Sequence, residues 1–209
     1  MLIPGGKVIS LLKAHSIAVK GVLHIGAHEC EELPFYNAMG ITAERVVWID
    51  AMQNKVEEAT QRKIPNVFQA VVTDRDDADV IFHVTNNVQS SSVLEFGSHA
   101  KHHPQVHFVR DITLKTVTID TFFTRKGLDA TAYDFWNFDI QGAEMLALLG
   151  AEKALAVPKA IYLEVNTEEV YKGCATMDQI DAFLGARGFK RVETAITNWG
   201  WGDALYLRL

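Results

Sequence analysis

Short apolar runs alternate with stretches of helical periodicity along the first third of this chain, a rhythm that predicts parallel strands joined by helices. An opening helix is expected over 7–18, with Val8, Leu11, Leu12 and His15 on one side, then a buried strand over 21–25. A helix over 31–39 ends at Gly40, where a glycine C-cap fits. A strand over 45–50, a helix over 53–62 and a strand over 66–72 follow. The rhythm then changes. Short strands over 79–84 and 111–118 enclose two polar stretches, NNVQSSSVL and GSHAKHHPQVH, which read as an inserted loop or hairpin, 79–118, over the active face. Beyond it come a helix over 119–125, a strand over 135–140, a helix over 143–149, a strand over 160–165 and a helix over 177–186. Strands over 189–196 and 204–209 close as an antiparallel pair around Asn198-Trp199-Gly200-Trp201-Gly202. The expected α/β fold is a doubly wound, mostly parallel seven-stranded sheet with a C-terminal antiparallel hairpin. It forms a single domain, 1–209, with the insertion between the third and fourth core strands.

Composition narrows the class. A chain of 209 residues, 48% hydrophobic and 22% charged, can bury on the order of 70% of its unfolded surface. A net charge of −6 argues against nucleic acid as the main partner, since phosphate affinity is built from Lys and Arg. Cys30 and Cys174 support no disulfide framework and fit a reducing compartment. No apolar run approaches the roughly 18 residues that span a bilayer, and the start MLIPGGKVIS does not read as a signal peptide. The expected location is the cytoplasm, and the chain is equally compatible with being a module of a larger glycan-modifying polypeptide.

The candidate chemistry begins at VLHIGAHE (22–29) and VVWIDA (46–51). One apolar run ends in a glycine turn, and the next ends in an acid. This is the layout of a nucleotide-type ligand lying across the carboxyl ends of two strands, with the acid on ribose hydroxyls. A dinucleotide fingerprint needs three glycines, whereas only Gly26 is present. Glu29, where the next helix should begin, would repel a pyrophosphate but suits the ammonium and sulfonium of S-adenosylmethionine.

With AVVTD (70–74), NNVQSSSVL (86–94), NFDIQGAE (137–144) and YLEVNTEEVYKGC (162–174) added, the chain resembles the FkbM family of S-adenosylmethionine-dependent methyltransferases from about residue 22 to 209. The resemblance implies a Rossmann-like class I methyltransferase fold with S-adenosyl-L-methionine as cofactor and S-adenosyl-L-homocysteine as product. It places the donor along His24, Gly26, Ala27, His28 and Glu29, against Asp50 and Ala51, with Ala70 and Val71 as the adenine-side wall and Asp139 at the reacting end. Members often carry Asp at the position of His24, Asn at His28, a second Gly at Cys30 and Glu at Gln141.

Each candidate has a plainer alternative. Gly26 can be an ordinary strand–helix turn, and Asp50 a helix cap. Asp139, emerging from the apolar run Phe135-Trp136-Asn137-Phe138, is the expected catalytic carboxylate, as a base or as a hold on the donor's ammonium; the alternative is an N-cap. Glu164 at the next strand end would neighbour it, orienting the acceptor hydroxyl or stabilising the field. A divalent metal on the two acids lacks a clear third ligand, so no metal is expected. His99, His102, His103 and His107 read chiefly as a polar lid, with His102 the candidate for an acceptor-side base. Gln89, Ser90, Ser91 and Ser92 can orient an acceptor through hydrogen bonds, and Tyr171, Trp199 and Trp201 can stack on a sugar or simply pack the hairpin. The expected activity is O-methylation of a sugar, glycan or similar small polar acceptor. The competing readings are a nicotinamide-dependent oxidoreductase and an inactive donor-binding module.

Overall fold

The computed structural model describes residues 1–209. Helix α1 (Gly5–Ala14) precedes strand β1 (Val22–Ile25), and the chain then alternates α2 (Leu33–Ala38), β2 (Val46–Asp50), α3 (Gln53–Gln61) and β3 (Val67–Gln69). After β4 (Val71–Val72), β5 (Asp79–Thr85), α4 (His99–His102) and β6 (Phe108–Val117), alternation resumes with α5 (Ile119–Lys126), β7 (Phe135–Phe138), α6 (Glu144–Leu149), β8 (Ala160–Asn166) and α7 (Met177–Gly185). Strands β9 (Phe189–Ile196) and β10 (Trp201–Arg208) close the chain as an antiparallel pair. The main sheet runs β3-β2-β1-β7-β8-β10-β9, parallel except where β10 meets β8 and β9, so the doubly wound seven-stranded fold read from the sequence is what the structure shows.

The central strands are apolar on both faces because helices cover both. Leu23, Ile25, Val47, Ile49, Trp136 and Phe138 pack with Phe122, Leu148 and Leu184 of α5, α6 and α7. The alternate positions Val22, Val46, Trp48, Phe135 and Tyr162 pack with Val8, Leu12, Tyr36 and Ala59 of α1, α2 and α3. Helix α5 ends on Gly127 at φ 64, a left-handed cap.

Two departures shape the site. The strand expected over 66–72 is broken at Ala70, whose amide reaches the Asp50 carbonyl at 3.0 Å; β3 stays in the main sheet, while β4 joins β6 in a second, three-stranded sheet ordered β4-β6-β5. The insertion is therefore a sheet with a loop, carrying α4, at its tip. Second, the strand order reverses between β1 and β7, so the topological switch lies there rather than between the first two strands.

Candidate active site

The carboxyl ends of β1, β2, β7 and β8 open into one cavity of ≈ 490 Å³, closed over by Phe82, residues 87–91, His99 and His103 of the insertion. That volume falls in the range of small-molecule sites. One wall, Ile49, Met52, Ala70, Val71, Val72 and Phe82, is apolar. The rest carries Glu31, Glu32, Asp50, Asp139, Glu164 and Asp203, against which the only Lys or Arg is Lys55.

Gly26 sits at φ +92, and its amide donates to the Ile49 carbonyl at 2.8 Å. A Cβ there would lie 1.8 Å from the Asp139 carbonyl oxygen. The glycine is therefore demanded by the approach of the β7 end at the switch point, as well as lining the cavity. Asp50 also lines the cavity, and its two carboxylate oxygens accept the amides of His28 and Met52, both at 2.8 Å. Asp50 does not cap α3, whose N-cap is Met52 without a side-chain bond; burial raises the pKa of Asp50.

Between β1 and α2 the chain turns through His28 at φ 40 and Cys30 at φ 56, left-handed positions that favour Asn and Gly. This irregular turn delays the helix to Leu33, and it changes which acid faces the ligand. Glu29 points outward, where its carboxylate pairs with Lys55 at 3.4 Å; Glu31 and Glu32 line the cavity instead. Burial, reinforced by the charge of Glu31, pushes Glu32 up to about 7. His24 and Ala27 lie beneath the cavity rather than in it. His24 is pushed down to about 3 by burial; its Nδ1 meets the Tyr36 hydroxyl at 2.9 Å, and its ring lies 4.8 Å from that of Trp48. His28, Ala51, Ala70 and Val71 line the cavity as expected.

Asp139 and Glu164 stand at adjacent strand ends, joined by a residue the sequence reading did not assign. Gln141, at φ 55, donates through Nε2 to Asp139 Oδ1 at 2.6 Å and to Glu164 Oε2 at 3.0 Å, while its Oε1 accepts the Tyr171 hydroxyl at 2.7 Å. Burial raises both carboxyl pKa values, Glu164 well above the usual carboxylate range, with Glu144 and Asp139 adding to the effect on Glu164 and Asp203 to that on Asp139. Asp139 does not cap α6. Glu144 holds that turn instead, accepting the amides of Ile140 at 3.0 Å and Gly142 at 3.4 Å, and burial lifts it to about 8.

Gln89, Ser90, Ser91 and Tyr171 also line the cavity. Ser92 does not: it is buried, and its hydroxyl donates to the Gln141 carbonyl at 2.8 Å, so it fixes the loop that carries Gln141. His102 is also outside, its Nε2 meeting Glu168 at 2.9 Å; the histidines that line this end are His99 and His103. Trp201 lines the cavity, whereas Trp199 is half exposed, edge-on to His103. Glu31, Glu32, Gln141, His99 and Asp203 were not singled out as ligand contacts from the sequence. Only the Gln between Asp139 and Gly142 carried a local signal. No group of three or more His, Cys, Asp or Glu is arranged to hold a metal ion.

The donor set fits S-adenosylmethionine: an apolar slot for a purine, a carboxylate at the β2 end for ribose hydroxyls, and acids for an ammonium and a sulfonium. Comparison with known proteins agrees. The Methyltransferase FkbM domain matches residues 24–191. A crystal structure of methyltransferase FkbM from Methylobacillus flagellatus KT superposes with a TM-score of 0.57 at 14% identity, covering 90% of this chain and 43% of that one. This chain thus spans less than half the length of that relative. An O-methyltransferase from Bacillus cereus, solved with S-adenosylhomocysteine, superposes at 0.50 with 11% identity over 98% of this chain and 80% of its own. Among curated proteins none matches in sequence. The chain belongs to the FkbM family of S-adenosylmethionine-dependent methyltransferases.

Proposed function

We propose that this chain transfers the methyl group of S-adenosylmethionine to a hydroxyl oxygen of a small polar acceptor, a sugar of a glycan or glycan precursor. The observation that carries the reading is the carboxyl pair Asp139 and Glu164, bridged by the Gln141 amide in the cavity that also holds Asp50. The donor supplies a methyl group activated on a sulfonium. Asp50 holds ribose hydroxyls, Glu31 and Glu32 counter the ammonium, and Ala70, Val71 and Val72 wall the purine. Asp139 places negative potential where positive charge approaches the acceptor, and Glu164 hydrogen-bonds the acceptor hydroxyl and fixes its line of attack. Gln89, Ser90, Ser91 and the faces of Tyr171 and Trp201 supply the hydroxyl and aromatic contacts a sugar ring uses.

The cavity's carboxylates and the net charge of −6 count against an acceptor rich in phosphates, nucleic acid included, and equally against a nicotinamide dinucleotide. The reading is tested by incubating the protein with methyl-labelled S-adenosylmethionine and a panel of methyl hexosides, followed by mass and NMR analysis of products. An O-methyl hexoside is the expected product; label found only on nitrogen or carbon, or on no member of the panel, overturns it.

A further inference from the structure

We propose that His99 is the residue that takes the acceptor's hydroxyl proton, receiving it on Nε2 at the acceptor end of the cavity. The proposal deepens the O-methyl reading and rests on it. His99 is only 6% exposed yet lines the cavity. Its ring is held on several sides: it stacks on Phe96 at 4.2 Å and 19°, and lies 5.5 Å from the Tyr171 ring and 5.0 Å from that of His103. The backbone is fixed as well. The amides of Gly97 and His99 donate to the Val170 carbonyl at 2.9 and 3.1 Å, and that of Ser98 to Glu169 at 2.8 Å, tying this segment to the chain just beyond β8. Nevertheless neither ring nitrogen of His99 has a hydrogen-bond partner: Nδ1 is sealed from solvent without one, and the ring lines the cavity. Buried polar groups are nearly always satisfied, so a rigidly held, unpaired imidazole at a cavity wall marks the place of a ligand group.

The surroundings keep the ring neutral. Burial, helped by the positive fields of His103 and His102, pushes the His99 imidazole down to about 4, so it is neutral with a free lone pair at pH 7. Facing it from the other elements, the Tyr171 hydroxyl is turned to Gln141, and the Glu168 carboxylate is occupied by Ser98 Oγ at 2.8 Å and His102 Nε2 at 2.9 Å. Asp139 and Glu164, by contrast, are each already engaged by the Gln141 amide, at 2.6 and 3.0 Å. In the transfer, the acceptor oxygen forms its bond to the methyl carbon as the carbon–sulfur bond of the donor breaks, with that electron pair remaining on sulfur. The hydroxyl proton passes to His99 Nε2, and the imidazolium then releases it to solvent. Charge and atoms balance: sulfonium, alcohol and imidazole give sulfide, methyl ether and imidazolium.

The test compares wild type with His99→Ala and His99→Gln in methyl transfer to the methyl hexoside panel, with S-adenosylhomocysteine affinity measured by calorimetry and the His99 ring followed by nitrogen-15 NMR against pH. The expectation is a loss of at least about 100-fold in transfer for both variants. S-adenosylhomocysteine affinity should stay within about twofold, added imidazole should restore part of the His99→Ala rate, and the wild-type ring should be neutral at pH 7. A ring that is charged at pH 7, an unaffected rate in the variants, or a rate loss matched by lost donor affinity and not rescued by imidazole, each overturns the role of His99 alone. A wild type silent on every hexoside overturns the hydroxyl reading itself, and His99 with it.

Discussion

At the end of the cavity proposed for the donor, Gly26, Asp50 and Asp139 stand at or just beyond the ends of parallel strands of one sheet; at the end proposed for the acceptor, residues 87–91, His99 and Trp201 come from the insertion and the terminal hairpin. The first set is placed by ladder hydrogen bonds and a core buried on both faces, with Asp139 itself held by its amide on the Ile25 carbonyl at 2.9 Å. The second set is placed by contacts between distant segments, such as Gly97 with Val170 and Ser92 with Gln141. Charge divides the two ends in the same way. Buried carboxylates dominate the first, and hydroxyls, aromatic faces and imidazole dominate the second. On the function proposed above, the rigid sheet seats the donor and the grafted loop selects the acceptor.

The most severe way to break the donor end is Gly26→Ala. The added Cβ meets the Asp139 carbonyl at 1.8 Å at a φ of +92, so we expect a loss of about 2–5 kcal/mol in urea unfolding and no donor binding. Asp139→Asn keeps the shape and removes the charge; transfer should fall by about 100- to 1,000-fold in a labelled-methyl assay while donor affinity changes by less than about tenfold. Gln141→Leu severs the link between the two ends, leaving Asp139, Glu164 and the Tyr171 hydroxyl without their shared partner. It should cost about 1–3 kcal/mol in stability and raise the KM for acceptor more than that for donor.

Acidity gives a subtler separation. Glu32 at about 7 and Glu144 at about 8 sit above their ordinary values, so the stability they contribute is present at low pH and lost as pH rises through those values. The ammonium of a bound ligand offsets the charge that Glu32 then carries. The rise in Tm produced by S-adenosylhomocysteine should therefore grow between pH 6 and 8, and the binding enthalpy should depend on the buffer as a proton is released. An increment flat in pH would detach Glu32 from the donor. The smallest effect belongs to the acceptor loop, where Val88, a β-branched residue, is held at φ 66. Val88→Gly should gain about 0.5–1 kcal/mol, or roughly 2–4 °C in Tm, with donor affinity unchanged.

The same contrast explains what could be read from the residues. Strand ends at Ile25 and Asp50 are visible as apolar runs stopped by Gly or Asp, because a parallel strand buried on both faces leaves that local signature, whereas the strand expected to run to 140 stops at Phe138. The acid facing the ligand after β1 was displaced from Glu29 to Glu31 and Glu32, because two left-handed residues, His28 and Cys30, delay the helix, and neither is a glycine that would announce the turn. At the other end His99 and His102 lie one helical turn apart, and nothing local separates the one packed between Phe96 and Tyr171 from the one paired with Glu168. Likewise Asp203 faces the cavity only because β10 pairs antiparallel with β8, opposite Glu164.

Calorimetric titration of the chain with S-adenosylhomocysteine and, separately, with a nicotinamide dinucleotide tests the account most directly. It predicts one-site binding of S-adenosylhomocysteine that Gly26→Ala abolishes, and no binding of the dinucleotide. Binding of the dinucleotide alone, or S-adenosylhomocysteine binding indifferent to Gly26→Ala and to Asp50→Ala, would contradict a donor seated at the ends of β1, β2 and β7.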